Sequence, residues 1–337
     1  MDQMDGIPFV SVIVPAYNSE GTLKNTVGDI LAQTYRNYEL IIVDDGSTDS
    51  TKVIAEAFAS EDTRVRVLHQ PNAGPSAARN RGTREARGRY IAYFDSDDRI
   101  EPECLRYLVT ALEESRADMV CGLIDRVRVN YTMPEGNPEF SFEILDGRET
   151  MREMLTGKRL MTGPCCRLVP REWLLEERFP EGRFYEDLSH TYKINLKTRH
   201  LALVRCVLYH YVMRGGSTTG RKKTTRKQCL DYYQAISLCR QGVLEVYPEL
   251  ENDAAVLTMR ECLALYLSIR RCPERDGSLE KIEAEIFEWM KRCWRTAAGN
   301  SRAPTEVRLR CLLFGLSPWL YEKLYYIGIR FKGKALG

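Results

Sequence analysis

The chain reads as an α/β protein: a mostly parallel sheet flanked by helices, with a C-terminal helical extension. Three observations predict this. Apolar, β-rich runs near 9–14, 38–44, 65–69 and 90–94 alternate with helical stretches near 21–33, 49–59, 75–87 and 101–115. Such βα alternation implies parallel strands joined by right-handed crossovers. The run at 40–43 is continuously apolar, as a strand buried on both faces requires. From about residue 228 onward the pattern is helical to the end.

Taken in order, the first strand, FVSVIV at 9–14, runs into Pro15-Ala16-Tyr17-Asn18. The second ends in Asp44 and Asp45, followed by Gly46-Ser47-Thr48-Asp49. Gly46 permits a turn of positive φ, and Ser47, Thr48 or Asp49 can cap the next helix. The strand at 90–94 delivers Asp95, Asp97 and Asp98 at its end. A further strand is expected at 118–123, a Pro- and Gly-bearing loop at 133–138, helices at 149–155 and 186–196, and one or two strands over 201–212. The segment 215–227, GGSTTGRKKTTRK, is small, polar and basic, as a flexible loop or hinge would be. The expected division is a catalytic domain at 1–216, a flexible basic loop at 217–227 and a helical region at 228–337.

Composition narrows the function. The chain has 337 residues, 28% charged and 44% hydrophobic, values ordinary for a globular enzyme with one large domain and an appendage. A net charge of +2 gives no support for nucleic-acid binding. The N-terminus, MDQMDGIPF, has neither a positive n-region nor an apolar h-region, and no stretch matches the ~18 apolar residues of a membrane span. The expected location is therefore cytoplasmic. Eleven cysteines without CxxC pairing read as reduced core thiols, and the four histidines lack zinc spacing.

Open α/β sheets bind ligands outside the carboxyl ends of their strands. Polar clusters at three such ends therefore argue for one shared site. Asp95-x-Asp97 sets two carboxylates on one side of a tight turn, where Mg²⁺ or Mn²⁺ can bridge protein carboxylates to substrate phosphates. Asp97 is the expected direct ligand, with Asp95 reaching a ribose or the metal through water. Asp98 is expected to cap the turn into the next helix. Tyr17, after a proline in the first loop, can pack against a base.

PAYN at 15–18, QTYRNYELIIVDDGSTD at 33–49, NAGPSAARNRG at 72–82 and YIAYFDSDD at 90–98 follow one another in the order and spacing of the motifs of family 2 glycosyltransferases. The chain resembles that family strongly over roughly 8–125, more thinly to about 216, and little beyond. The resemblance implies a GT-A fold and an enzyme of the bacterial surface-polysaccharide type. It would transfer a sugar from a UDP-sugar to a hydroxyl of a glycan or lipid-linked acceptor, with Mn²⁺ or Mg²⁺. It assigns Asp45 to the uracil N3–H and singles out Arg79 among the arginines of 79–89, to reach a carbonyl oxygen or a phosphate. Pro15, Tyr17, Asn18, Glu20, Asp45, Ser47, Gly74, Arg79, Asp95 and Ser96 make up the expected nucleotide-sugar site. It also aligns Asp187, in FPEGRFYEDLSH, with the family's catalytic carboxylate, the base for the acceptor hydroxyl. Glu186 and Asp187 are equally good helix-start residues on capping and dipole grounds. One base and no evident second carboxylate imply single displacement with inversion.

His210 and Arg214 precede the basic loop, and His210 is a candidate for metal or phosphate contact. A nucleotidyltransferase would want a Gly-rich, Lys/Arg-bearing loop after the first strand, where PAYNSEGTLKN offers only Gly21 and Lys24. A non-catalytic nucleotide-sugar binding protein would have no need of Asp45, Asp97 and Asp187 together. Residues 305–332 interleave Leu312, Leu313, Phe314, Trp319 and Tyr326 with Arg308, Arg310, Lys323 and Arg330. Pro318 breaks the run into two amphipathic helices. Such a segment suits either a membrane–water interface or a helical face packed on the catalytic domain or on a second subunit.

Overall fold

The computed structural model describes residues 9–129, 131–134, 136–214 and 224–325. They fall into two compact units, Met1–Thr150 with Thr162–Gly220, and Met151–Met161 with Arg221–Gly337.

In the first unit, β1 (Val10–Ala16), β2 (Tyr38–Asp44), β3 (Val65–His69) and β4 (Tyr90–Tyr93) lie in the order β3-β2-β1-β4, all parallel. Every residue of β2 is buried, which is why YELIIVD carries an apolar centre rather than an alternating pattern. The register sets Ala16 beside Asp44, Asp44 beside His69, and Ile13 beside Tyr93. The polar residues that follow these strands therefore emerge along one edge of the sheet. Helices α1 (Leu23–Leu31), α2 (Thr51–Glu61), α3 (Pro75–Glu85) and α4 (Cys104–Ser115) connect and flank the strands. Val12, Val14, Leu40, Ile42, Phe94, Leu105 and Leu108 belong to one buried cluster beneath that edge.

Beyond β4 the sheet departs from the simple alternation. β5 is Arg99–Ile100, β6 Met119–Arg128, β7 Phe142–Asp146, β8 Arg167–Pro170 and β9 His200–Met213. β8 enters antiparallel between β4 and β6, and β9 runs parallel to β6 across an irregularity near Leu123. β5 and β7 pair antiparallel with β9. These short strands were not expected. Arg167–Pro170 is four residues in all, from an arginine to a proline, too few for period-2 patterning. The helix expected at 101–115 begins only at Cys104, because β5 takes up Arg99–Ile100. The expected helices at 149–155 and 186–196 are α5 (Gly147–Thr156) and α7 (Glu186–Lys197), with α6 (Arg171–Glu176) between them.

The second unit contains α8 (Arg226–Val246), α9 (Glu251–Arg270), α10 (Gly277–Gly299), α11 (Thr305–Leu316) and a helical segment over 318–325. α8 opens with a reciprocal capping box between Thr225 and Gln228. The break before Pro318 is where that residue ends any single helix. The segment Met151–Met161 joins these helices, with Arg152 Nε 3.1 Å from Asp253 Oδ2, a grouping the expected boundary at 216 did not contain. Most of the basic loop at 217–227 lies outside the described residues. No helix among the described residues is long and apolar enough to cross a membrane.

Gly46, just past β2, has φ +74°, and a Cβ there would stand 2.7 Å from the backbone nitrogen of Asn72. Both the left-handed backbone and the close approach demand glycine. Gly46→Ala is expected to lower unfolding free energy by more than ~1 kcal/mol, beyond the ordinary glycine-to-alanine range, as urea denaturation would measure. An unchanged midpoint would show that the turn yields.

Candidate active site

The loops after β1 and β2 are tied together by the residues that the motifs supply. Asn18, at φ 48°, accepts from the Thr48 backbone N–H through Oδ1 at 2.9 Å, while its own N–H donates to Ser47 Oγ at 3.1 Å. Glu20 Oε2 accepts from the Ser50 N–H at 3.0 Å. Ser19 Oγ and Ser96 Oγ are 2.8 Å apart, joining the first loop to the end of β4. Asn18, Glu20, Ser47 and Ser96 thus tie the loops after β1, β2 and β4 to one another. Pro15 lies beside Val43 one residue before the end of β1, and Tyr17, just past that end, is 49% exposed.

Asp44 and Asp45 are both buried and both occupied. Asp44 accepts from the Ser47 N–H at 3.1 Å and faces His69 Nδ1 at 3.1 Å. Burial works against its charge, but the Ser47 and His69 bonds outweigh it and hold the carboxyl below the usual range. Asp45 accepts from Gln70 Nε2 at 2.7 Å, Ala73 N–H at 2.9 Å and Gly74 N–H at 2.7 Å. Gly74, at φ 89°, is the residue before α3. Asp45 therefore pins the entry to α3, the helix that carries Arg79.

Arg79 is 5% exposed and spans the site. One terminal nitrogen donates to Asp95 Oδ1 at 2.9 Å and the other to Glu186 Oε1 at 3.0 Å, with the guanidinium 5.4 Å from the Phe179 ring centre. Burial opposes its charge, yet the Asp95 and Glu186 carboxylates more than offset this and raise its pKa. Both terminal nitrogens act as a clamp between the two carboxylates, so a ligand oxygen would have to share them. The clamp sets the start of α7, and with it half-buried Asp187, beside the strand end that bears Asp95 and Asp97. Tyr185, just before α7, takes φ 58°, which turns the chain into that helix.

The three carboxylates after β4 have different surroundings. Arg214 Nη1 is 2.7 Å from Asp97 Oδ2. Burial and the charge of Asp95 push Asp97 above its ordinary pKa against the pull of Arg214. Asp98, 1% exposed, accepts from the Tyr209 hydroxyl at 2.6 Å and from the Val212 N–H at 2.8 Å. It does not cap α4 as expected; it fastens the β4 end to β9. The Tyr209 hydroxyl in turn accepts from the Asp95 N–H at 3.1 Å. Nothing in the local sequence marks Tyr209, one of two tyrosines flanking His210 in β9.

Burial, and then the charge of Asp95, raise Asp98 to about 7. The sign follows directly: as pH rises from the unfolded value near 3.8 through 7, the unfolded chain ionises this group before the folded one, and folding loses stability. In EDTA, Asp98→Asn is expected to raise Tm relative to the parent increasingly from pH 5 to pH 8. A pH-independent difference in thermal melts would contradict this.

His210 is buried, with Nδ1 2.6 Å from Asp125 Oδ1 and Nε2 2.7 Å from Glu101 Oε1. Both ring nitrogens are taken by carboxylates, and the Tyr131 ring lies 4.6 Å away. The candidate contact of His210 with metal or phosphate is therefore replaced by a structural one. No group of three or more His, Cys, Asp or Glu side chains among the described residues forms a ready metal cage. What the strand end offers is Asp95 and Asp97, each with one oxygen outside its arginine pair.

The glycosyltransferase GlyG of Streptococcus pneumoniae serotype 4 is 36% identical over 220 residues, 62% of this chain and 72% of that protein. The family model described as glycosyl transferase family 2 matches residues 11–177. The chain belongs to this family. A second family relative, the cholesterol galactosyltransferase of Borreliella burgdorferi, is 30% identical over 246 residues, 69% of this chain and 68% of that protein. The solved structure of S. aureus TarS 1–349 in complex with UDP-GlcNAc aligns with a TM-score of 0.65 at 20% identity, over 95% of this chain and 92% of that one. That likeness shows the GT-A fold, a mixed sheet flanked by helices with further helices C-terminal to it. Asp187 lies beyond the matched 11–177.

Proposed function

We propose that this glycosyltransferase is a metal-dependent, inverting enzyme. It moves a sugar from a UDP-sugar to a hydroxyl of a glycan or lipid-linked acceptor in surface-polysaccharide synthesis, on the inner face of the cell membrane with peripheral contact through 305–332. The part of 305–332 beyond residue 325 lies outside the described residues. One observation carries the reading: Arg79 bridges Asp95 and Glu186. It joins the strand end suited to a donor diphosphate to the helix start suited to an acceptor base.

Donor recognition falls to Asp45 and Tyr17. A carboxylate has about four acceptor positions, and three protein donors occupy Asp45. The remaining position can accept a uracil N3–H, while Tyr17 covers the base. TarS structures hold UDP-GlcNAc and UDP, which supports a uridine donor here. Asp95 and Asp97 would hold a divalent cation. Burial raises Asp97 and Asp98, and the charge of Asp95 adds to it; a bound cation would offset that charge. A bound Mn²⁺ or Mg²⁺ supplies Lewis-acid stabilisation to the departing nucleoside diphosphate. Asp187 takes the proton of the acceptor hydroxyl as that oxygen attacks. Glu186, held by Arg79, is not placed to act as a second nucleophile, which supports single displacement with inversion.

Calorimetry tests the donor site. UDP with Mn²⁺ is expected to bind more tightly than ADP with Mn²⁺, since adenine offers no matching N–H at that edge, and EDTA is expected to abolish the UDP heat. Equal affinities for UDP and ADP, or UDP binding and transfer unchanged by EDTA, would refute it.

A further inference from the structure

The helices α11 and 318–325 carry an unusual outer surface. Leu309, Leu312, Leu316, Trp319, Leu320 and Leu324 are exposed, Leu316 at 79% and Trp319 at 62%. Positions 309, 312 and 316 follow the i, i+3, i+7 spacing of one face of α11, and beyond the break at 317 the exposed Leu320 and Leu324 lie four apart on the second helix. The other exposed large apolar side chains among the described residues, such as Tyr17, Val53, Val129 and Leu238, are scattered along the chain. The opposite face of α11 is already used: Val307, Cys311 and Phe314 are buried, and the Phe314 ring meets Phe287 edge-on at 5.7 Å. The helix therefore packs on its own unit by one side and presents a leucine–tryptophan stripe on the other. Contiguous exposed apolar surface of this kind marks an interaction site.

Charge identifies the occupant. Over 317–337 the sequence has one acid, Glu322, against Lys323, Arg330, Lys332 and Lys334. Glu322 lies 3.4 Å from Arg270, and on α11 Glu306 pairs with Arg310 at 2.6 Å. Lys323 Nζ stands 4.0 Å from the centre of the Trp319 ring, so the cation rides on the aromatic anchor. An apolar stripe carrying a tryptophan, with Lys323 on that ring and an excess of cations in the sequence that follows, fits a lipid headgroup boundary, where leucines enter the acyl region and lysines meet anionic phosphates. We infer that this stripe inserts into an anionic lipid surface and does so as a face of folded helices, not as a spanning segment. The inference deepens the proposed membrane contact and rests on it.

Vesicle co-sedimentation of the full chain tests it, with phosphatidylglycerol–phosphatidylcholine vesicles against pure phosphatidylcholine. The parent is expected to pellet with the anionic vesicles and much less with the neutral ones. Leu312→Glu/Leu316→Glu/Trp319→Glu is expected to weaken vesicle binding by more than ~10-fold. The Kd for UDP with Mn²⁺, read by calorimetry on the same sample, should be unchanged; that readout also reports folding and keeps the donor-site proposal separate. Equal pelleting of parent and triple variant, or parent binding that ignores lipid charge, overturns the inference. So does a parent that fails to pellet but is a dimer by analytical ultracentrifugation and a monomer in the triple variant, since the stripe is then a protein interface.

Discussion

Asp187→Asn is expected to lower the rate of sugar transfer by ~10²–10⁴-fold, the contribution of a positioned general base. The donor Kd should move little. Asparagine keeps the shape and most of the hydrogen bonding of aspartate at a helix start, where the two are nearly equivalent, but it cannot accept the acceptor proton at neutral pH. The proposed donor side, Asp45, Tyr17 and the Asp95–Asp97 pair, is untouched by the change. Loss of kcat with retained UDP affinity therefore separates catalysis from capping. The geometry sharpens the test, because Glu186 Oε1 already accepts from Arg79 Nη1 at 3.0 Å, which makes Glu186 a poor substitute base. Transfer by Asp187→Asn at close to the parent rate would place the base elsewhere.

Arg79→Met is expected to be the most destabilising single change in the first unit, by about 3 kcal/mol in urea denaturation, the scale for removing one partner of a buried ion pair. Arg79 is 5% exposed and its guanidinium serves two carboxylates. Without it, Asp95 and Glu186 keep their charges in a site already crowded by Asp97 and Asp98. Glu186→Gln in the Arg79→Met background should recover part of the loss, because one unpaired charge is removed. Arg79→Lys should fall between, since a single ammonium cannot span both partners as the planar fork does. Transfer should collapse in Arg79→Met beyond what the loss of folded protein explains, as the start of α7 is released from the strand end. A stability change within ~0.5 kcal/mol would show that the bridge holds nothing in place.

The strands, the polar loops at their carboxyl ends and the glycines of the turns are local matters, and local patterning reveals them. A strand buried on both faces needs a run such as LIIV at 40–43, and a turn with φ +74° at the end of it needs Gly46. Four motifs in order then placed the chain in its family before any contact was known. Asn18, Glu20, Ser47 and Ser96 stand out in the sequence as polar residues at strand ends, but the bonds that tie their loops together do not, since bonds between positions 29 to 77 apart depend on which strands lie side by side. The same holds for Arg79, 107 positions from Glu186, and for Tyr209, 114 positions from the Asp95 amide it receives. β8 inserts between β4 and β6 through only a few paired residues, so the order of the sheet is settled by packing and not by any periodicity in Arg167–Pro170. Sequence by itself determined the parallel β1–β4 core, the carboxylates at its edge and the family. Only the tertiary structure decided which charge meets which, because an ion pair between strand ends is set by sheet order and burial, and neither is written in the spacing of residues along the chain.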